Sequence, residues 1–209
     1  MTPLRVLIAC ECSGTVRSMF RSMGHDAWSC DLLPAEDGDT HHLQADCLDV
    51  ARETIWDLMV AHPPCEHLSN AGARYWAEKR ADGRQQRAID FVLALSQLPI
   101  DRWCIENPPG VLSTVWRKPD QIVHPWMFGE KANKPTALWL KGLPRLIPTQ
   151  VVDKGEFYRK ANGRQLAKWS HIRSGTKDAD RARIASRTFR GIAFAMATQW
   201  GASALLQAA

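Results

Sequence analysis

The chain has 209 residues, 45% apolar and 23% charged, with a formal net charge of +5 at pH 7. That length supports one domain with a full hydrophobic core and leaves little for a second, and the balance is that of a soluble globular protein. It excludes a membrane-spanning chain, since no apolar run is long enough, while the cationic excess favours an anionic partner such as nucleic acid.

The run LRVLIACE at 4–11 predicts a strand covered on both faces. Val16, Met19, Phe20 and Met23 then recur at helical spacing, with Ser13 placed to cap the start and Gly24 the end. DAWSCDLL (26–33) predicts a second strand, and Asp46 falls near the end of a third. TIWDLMVA (54–61) predicts a fourth, halted by Pro63 and Pro64. RQQRAIDFVLALSQL puts Ala88, Phe91, Val92 and Leu95 on one helical face, and RWCIEN (102–107) is a strand ending in a second Pro-Pro. TALWLKGLPRL (136–146) holds a short strand. From Val151 to Arg183 the pattern breaks down. Lys154 to Arg183 carries nine Lys or Arg against three Asp or Glu, interleaved with Phe157, Tyr158 and Trp169. This basic segment reads as a solvated loop or as a nucleic-acid surface. Periodicity returns in SRTFRGIAFAMATQWG (186–201), with Ile192, Ala195, Met196 and Gln199 at helical intervals. Strands alternating with helices predict an α/β fold, a doubly wound, mostly parallel sheet with helices on both faces, as a single domain over 1–209.

Six cysteines stand at 10, 12, 30, 47, 65 and 104. Leu4 to Cys10 is too short for a secretory signal and there is no CxxC pair, so reduced thiols in a cytoplasmic setting are expected and a metal is not. All but Cys65 suit the role of small buried hydrophobes.

In a doubly wound sheet ligands lie at the carboxyl ends of the strands, where CECSGT (10–15) falls. A helix start there offers amide groups and positive dipole. Asp31, twenty residues after Glu11, has the spacing of an acid that binds a ribose diol, and Asp46 is placed for an adenine amino group. A dinucleotide fingerprint wants three glycines; here there is one, and Glu11 repels a pyrophosphate. S-adenosylmethionine, with a sulfonium, an amino group and no phosphate, suits the loop better than NAD. The competing reading is that Asp31 and Asp46 cap turns.

Cys65 follows the fourth strand and Glu106 ends the next, so adjacent parallel strands bring both to one edge. A thiol beside an acid fits attack on an electrophile that is protonated as it is attacked. Cytosine is one: a thiolate at carbon 6, with a carboxyl group at nitrogen 3, makes carbon 5 nucleophilic enough to take a methyl group. DLMVAHPPCEHLSNAG resembles the catalytic loop of DNA cytosine-5 methyltransferases, and IENPPG resembles their Glu-Asn motif. CECSGT, Asp31 and Asp46 are similar in place to their cofactor motifs, SRTFRGIAFAMA to their C-terminal helix, and KPTALWLKGLPRLIPT to a stretch of small phage and bacterial members. The resemblance implies Cys65 as nucleophile and Glu106 as acid. It implies Glu11, Cys12, Ser13, Gly14, Asp31, Leu32, Asp46, Cys47, His62 and Pro63 around S-adenosylmethionine, and Pro64, Ser69, Asn107 and either Arg74 or Lys134 at the substrate. DNA is the implied partner.

Three departures bear on this. The glycine-rich first motif is reduced to Ser13-Gly14, the Gln-x-Arg-x-Arg motif has no clean match, and only the basic segment at about 151–183 stands where the family has a target-recognition domain. A segment that short supplies one or two base-edge contacts, so a very short or relaxed recognition sequence is expected, with a side chain from 66–84 or 151–183 filling the space of a flipped base. Three alternatives are a free pyrimidine nucleotide as substrate, methylation of an exocyclic nitrogen by Asn107-Pro108-Pro109, and a DNA-binding module without catalysis.

Overall fold

Residues 6–9 (VLIA) and 58–61 (LMVA) are wholly buried, and they form the centre of a seven-stranded sheet. The computed structural model describes residues 2–159, 163, 165–167 and 187–203. β1 (Arg5–Ala9), β2 (Asp26–Asp31), β3 (His42–Gln44), β4 (Leu58–Ala61) and β5 (Trp103–Asn107) run parallel to one another. β7 (Thr136–Lys141) inserts antiparallel between β5 and β6 (Gln121–Val123), giving the order β3-β2-β1-β4-β5-β7-β6.

The two-residue period of the strands sorts their side chains between two cores. Leu7, Ala9, Met59, Ala61, Trp103 and Ile105 pack with residues of α2 (Cys47–Glu53) and α4 (Arg84–Ser96). Val6, Ile8, Leu58, Val60 and Cys104 pack with α1 (Thr15–Ser22) and α6 (Arg190–Ser203). Helices therefore cover both faces. The strand order reverses between β1 and β4, and the crevice at such a switch is where α/β sheets bind ligands.

Several elements differ from expectation. β1 stops at Ala9, because Cys10 turns into the left-handed region (φ 58). The fourth strand is only Leu58–Ala61; residues 54–57 have no regular structure and link it to α2, whose short amphipathic pattern sits behind an Asp46 cap. The buried stripe of α4 is Gln85, Ile89, Val92 and Leu95, with Ala88 and Phe91 on its margin. Trp76–Ala81 (α3) and Leu112–Val115 (α5) are short helices that show no periodicity long enough to detect. Within 151–183 the described residues include a hairpin, β8 (Phe157–Arg159) with β9 (Gln165–Ala167), where an irregular segment was expected. Trp169 and the residues from Lys168 to Arg183 lie outside the described residues.

Candidate active site and cofactor cavity

The start of α1 is closed by a carboxylate from within the chain. Glu11 is buried, and it accepts from the backbone N–H of Val16 (2.7 Å) and of Arg17 (3.2 Å). The amides expected to be open to a ligand are thus already satisfied, and Glu11 rather than Ser13 caps the helix. Ser13 Oγ donates to Glu11 at 3.3 Å. Gly14 takes φ 68, and a Cβ there would lie 2.3 Å from Asp37 Oδ2, so this one glycine is demanded both by its conformation and by its neighbour. The loop that approaches it is held by Arg17, fully buried, which pairs with Asp37 and Asp39 and donates to Ser29 Oγ at 2.8 Å. The Cys12 carbonyl accepts from the Glu36 N–H at 2.9 Å.

A cavity of about 110 Å³ opens beyond this loop, lined by Cys10, Cys30, Asp31, Leu32, Ala45, Asp46, Cys47, Pro64 and Phe91. It gathers four of the residues expected around a cofactor, Asp31, Leu32, Asp46 and Cys47. Pro64, expected at the substrate, is placed here too. Asp31 ends β2 and accepts from the Leu33 N–H at 2.9 Å; Asp46 caps α2 by accepting from the Leu48 N–H at 2.8 Å. Both carboxylates therefore do brace turns, yet each uses only Oδ1 for it. The second oxygens are left as acceptors beside an apolar cavity wall, an arrangement suited to hydroxyl and amino donors. With Glu11 filling the amide crown of α1, the site suits a ligand without phosphate.

Sequence reasoning missed Cys10, Cys30, Ala45 and Phe91 in this wall. Cys10 carries the only positive φ among described non-glycine residues, a feature that composition does not signal. Its Sγ meets that of Cys47 at 3.7 Å. None of the six cysteines is in a disulfide. Four of them are poor thiolates. The hydrogen bond from Cys47, then burial, pushes Cys10 well up; burial raises Cys12, carries Cys30 up to about 12, and raises Cys104 far above its ordinary value. None of these four is suited to nucleophilic attack.

Cys65 lies on the loop after β4, and that loop is bound to the end of β5 at several points. Asn107 Nδ2 donates to the Pro63 carbonyl at 2.8 Å. The Asn70 N–H donates to the Pro109 carbonyl (3.0 Å) and the Val111 N–H to the Leu68 carbonyl (2.9 Å). Ser69, buried, forms an isolated bridge with Gly110. A Cβ on Gly110 would sit 2.0 Å from the Leu68 oxygen, so no side chain, aromatic or other, fits at 110 in this arrangement. From the far side, Lys79 Nζ donates to the Glu66 carbonyl (2.6 Å) and Gln85 Nε2 to the His67 carbonyl (3.1 Å). Lys79 and Gln85 are buried polar residues whose purpose the sequence does not reveal.

Glu106, on the last turn of β5 toward the edge, is buried. His62, expected near a cofactor, instead places its Nδ1 3.0 Å from Glu106 Oε2. Burial pushes the Glu106 carboxyl up, but the His62 hydrogen bond and the charges of His62 and Lys134 outweigh it and hold the group below the ordinary glutamate value. Lys134 thus acts on the acid, while Arg74 is exposed, with its guanidinium 4.5 Å over the Tyr75 ring. Among the described residues there is no cluster of three metal-ligating side chains, and no helix is long and apolar enough to cross a membrane.

No family model and no curated protein matches the chain. Among solved structures, the Entamoeba histolytica methyltransferase EhMeth is similar with a TM-score of 0.50 at 14% identity, over 73% of this chain and 58% of that one. A DNA modification methyltransferase encoded within a prophage (E. coli) gives 0.47 at 17% identity, over 72% and 52%. A Spodoptera frugiperda DNMT2 mutant gives 0.44 at 13%, over 73% and 56%. The chain spans little more than half the length of these structures. The strand order with its antiparallel β7 defines the class of fold, a Rossmann-like α/β sheet, and the likeness to EhMeth shows the same fold in a methyltransferase.

Proposed function

We propose that the chain is a DNA cytosine-5 methyltransferase that uses S-adenosylmethionine and forms a covalent adduct between Cys65 and carbon 6 of a flipped cytosine. The observation that carries this reading is the binding of the Cys65 loop to the end of β5 through Asn107, Pro109 and Val111, next to Glu106. A nucleophile gains most from a backbone that does not have to be ordered at the moment of attack. Asp31 and Asp46 would hold the ribose hydroxyls and adenine amino group of the cofactor, which supplies an electrophilic methyl group. Cys65 gives its electron pair to carbon 6, and Glu106 provides the proton at nitrogen 3 that lets the ring accept it. Lys134 stabilises the carboxylate that remains.

DNA suits the cationic excess of the chain. Exocyclic amino methylation is disfavoured, since its stacking aromatic has no room at Gly110. Sequence specificity is short or relaxed, because little chain is given to base reading. The test is incubation with duplex DNA containing 5-fluorocytosine plus cofactor. A denaturation-resistant adduct with the wild type and none with Cys65→Ser is expected. Adduct with neither protein, alongside methyl transfer to an exocyclic nitrogen or to free deoxycytidylate, refutes the reading and names its replacement.

A further inference from the structure

We propose that His62 is a positioning residue that assigns the two oxygens of Glu106, Oε2 to itself and Oε1 to the ring nitrogen of the substrate. This rests on the cytosine reading above.

His62 is one residue beyond β4, but its N–H donates to the Ala9 carbonyl at 2.9 Å, so its backbone is held as firmly as a strand residue. The parallel register pairs Ala61 with Ile105. The next pair is therefore His62 and Glu106, side by side on the face that α1 and α6 cover. Their side chains are only 9% and 11% exposed, and Nδ1 meets Oε2 at 3.0 Å. His62 Nε2 is buried without a hydrogen-bond partner among the described residues. A proton on Nε2 would be a buried donor with nothing to give to, whereas a bare lone pair costs less. In the neutral ring the network places the proton on Nδ1, which donates to Oε2, and the cationic ring, whose charge lowers Glu106, keeps that same donor.

Glu106 rests as a carboxylate at neutral pH; with Oε2 occupied by the His62 N–H, the proton it takes up for the transfer goes to Oε1. Nitrogen 3 of cytosine is an acceptor, so the acid must present hydrogen on the oxygen that faces the ring. In the transfer the Oε1–H bond breaks, the N3–H bond forms, and the electron pair stays on the carboxylate. The charge left on Glu106 is then met by the His62 N–H and by Lys134, on the segment entering β7; Cys104, on the same strand, stays a neutral thiol. Without His62 the carboxyl is free to rotate, and its proton is distributed over both oxygens.

Two variants separate this from a packing role. His62→Asn keeps an N–H close to the position of Nδ1; His62→Gln carries its amide one bond farther out and keeps polar bulk. The first readout needs no substrate: the ¹³C titration of Glu106 in glutamate-labelled protein, assigned with Glu106→Gln. The second is the rate of adduct formation on 5-fluorocytosine DNA against pH. In H62Q the Glu106 midpoint should rise, the maximal adduct rate should fall by about 10²-fold, the scale of a misplaced reacting group, and the alkaline limb should move upward with the midpoint. H62N should restore both toward wild type. An unmoved Glu106 midpoint in H62Q, or H62N behaving like H62Q, overturns the proposal. A wild type that forms no adduct refutes the cytosine reading instead, and the Glu106 midpoint still decides the pairing.

Discussion

The side-chain amide of Asn107 donates to the carbonyl oxygen of Pro63 across 2.8 Å, joining the last residue of β5 to the loop after β4. Both residues are buried. The bond is placed so that it orders the approach to Cys65 without touching it. The Nδ2 of the Asn in the Glu-Asn pair thus serves the scaffold, while Oδ1 has no partner among the described residues.

Asn107→Ala should leave the Pro63 carbonyl buried and unpaired, at a cost of about 1–3 kcal/mol. Urea unfolding checks the stability, and adduct formation on 5-fluorocytosine DNA should slow by about tenfold or more as the loop loosens. An Asn107→Ala protein with wild-type midpoint and wild-type adduct rate would show that the other backbone bonds hold the loop alone.

The elements that sequence reveals are those with one unbroken period. The central strands were legible because they are apolar on both sides, and α6 because Ile192, Ala195, Met196 and Gln199 recur at helical intervals. Asp31 was legible because its distance from the first loop is set by one helix and one strand. What stayed hidden depends on contacts between distant residues. Gly110 looks like an ordinary turn glycine; only the Leu68 carbonyl that a Cβ would strike explains it. Glu11 reads as an acid near a ligand, while its carboxylate is spent on the amides of α1. His62 precedes Pro63, and its partner lies 44 positions away in the chain. No spacing rule reaches that far without the sheet register.

Depressed carboxyls give the fold a defined response to acid, Asp39 and Glu106 among them. The His41 backbone N–H, then the His41 ring, hold Asp39 down at about 2, with Arg17 adding to the effect. Glu106 is also below its ordinary value, for the reasons given above. A depressed carboxyl stabilises the folded state above its unfolded value, about 4 for these side chains, and the contribution is lost as pH falls toward the folded value. Burial holds the His25 and His124 rings below their ordinary value, so the urea midpoint should decline gently from about pH 6.5 and more steeply below about 4. Asp39→Asn should lessen the fall. A midpoint that declines equally in both proteins removes Asp39 from the account.

Asp31 and Glu11 make opposite demands on a ligand, and the contrast is measurable. Asp31 keeps Oδ2 as an acceptor beside the cavity, and a diol donating to a carboxylate is worth about 1.5–3 kcal/mol. Asp31→Ala should accordingly weaken S-adenosylmethionine binding by roughly tenfold to a hundredfold in titration calorimetry. Glu11 works by exclusion: its carboxylate takes the two amides that a phosphate would need. Wild-type protein should bind the cofactor and its demethylated product but not NAD. Glu11→Gln keeps an acceptor for the Val16 N–H while removing the negative charge, so it should bind the cationic cofactor less well without losing the helix. If Glu11→Gln instead binds the cofactor as tightly as wild type, the carboxylate serves α1 alone, and selectivity against phosphate comes from the shape of the loop around Gly14.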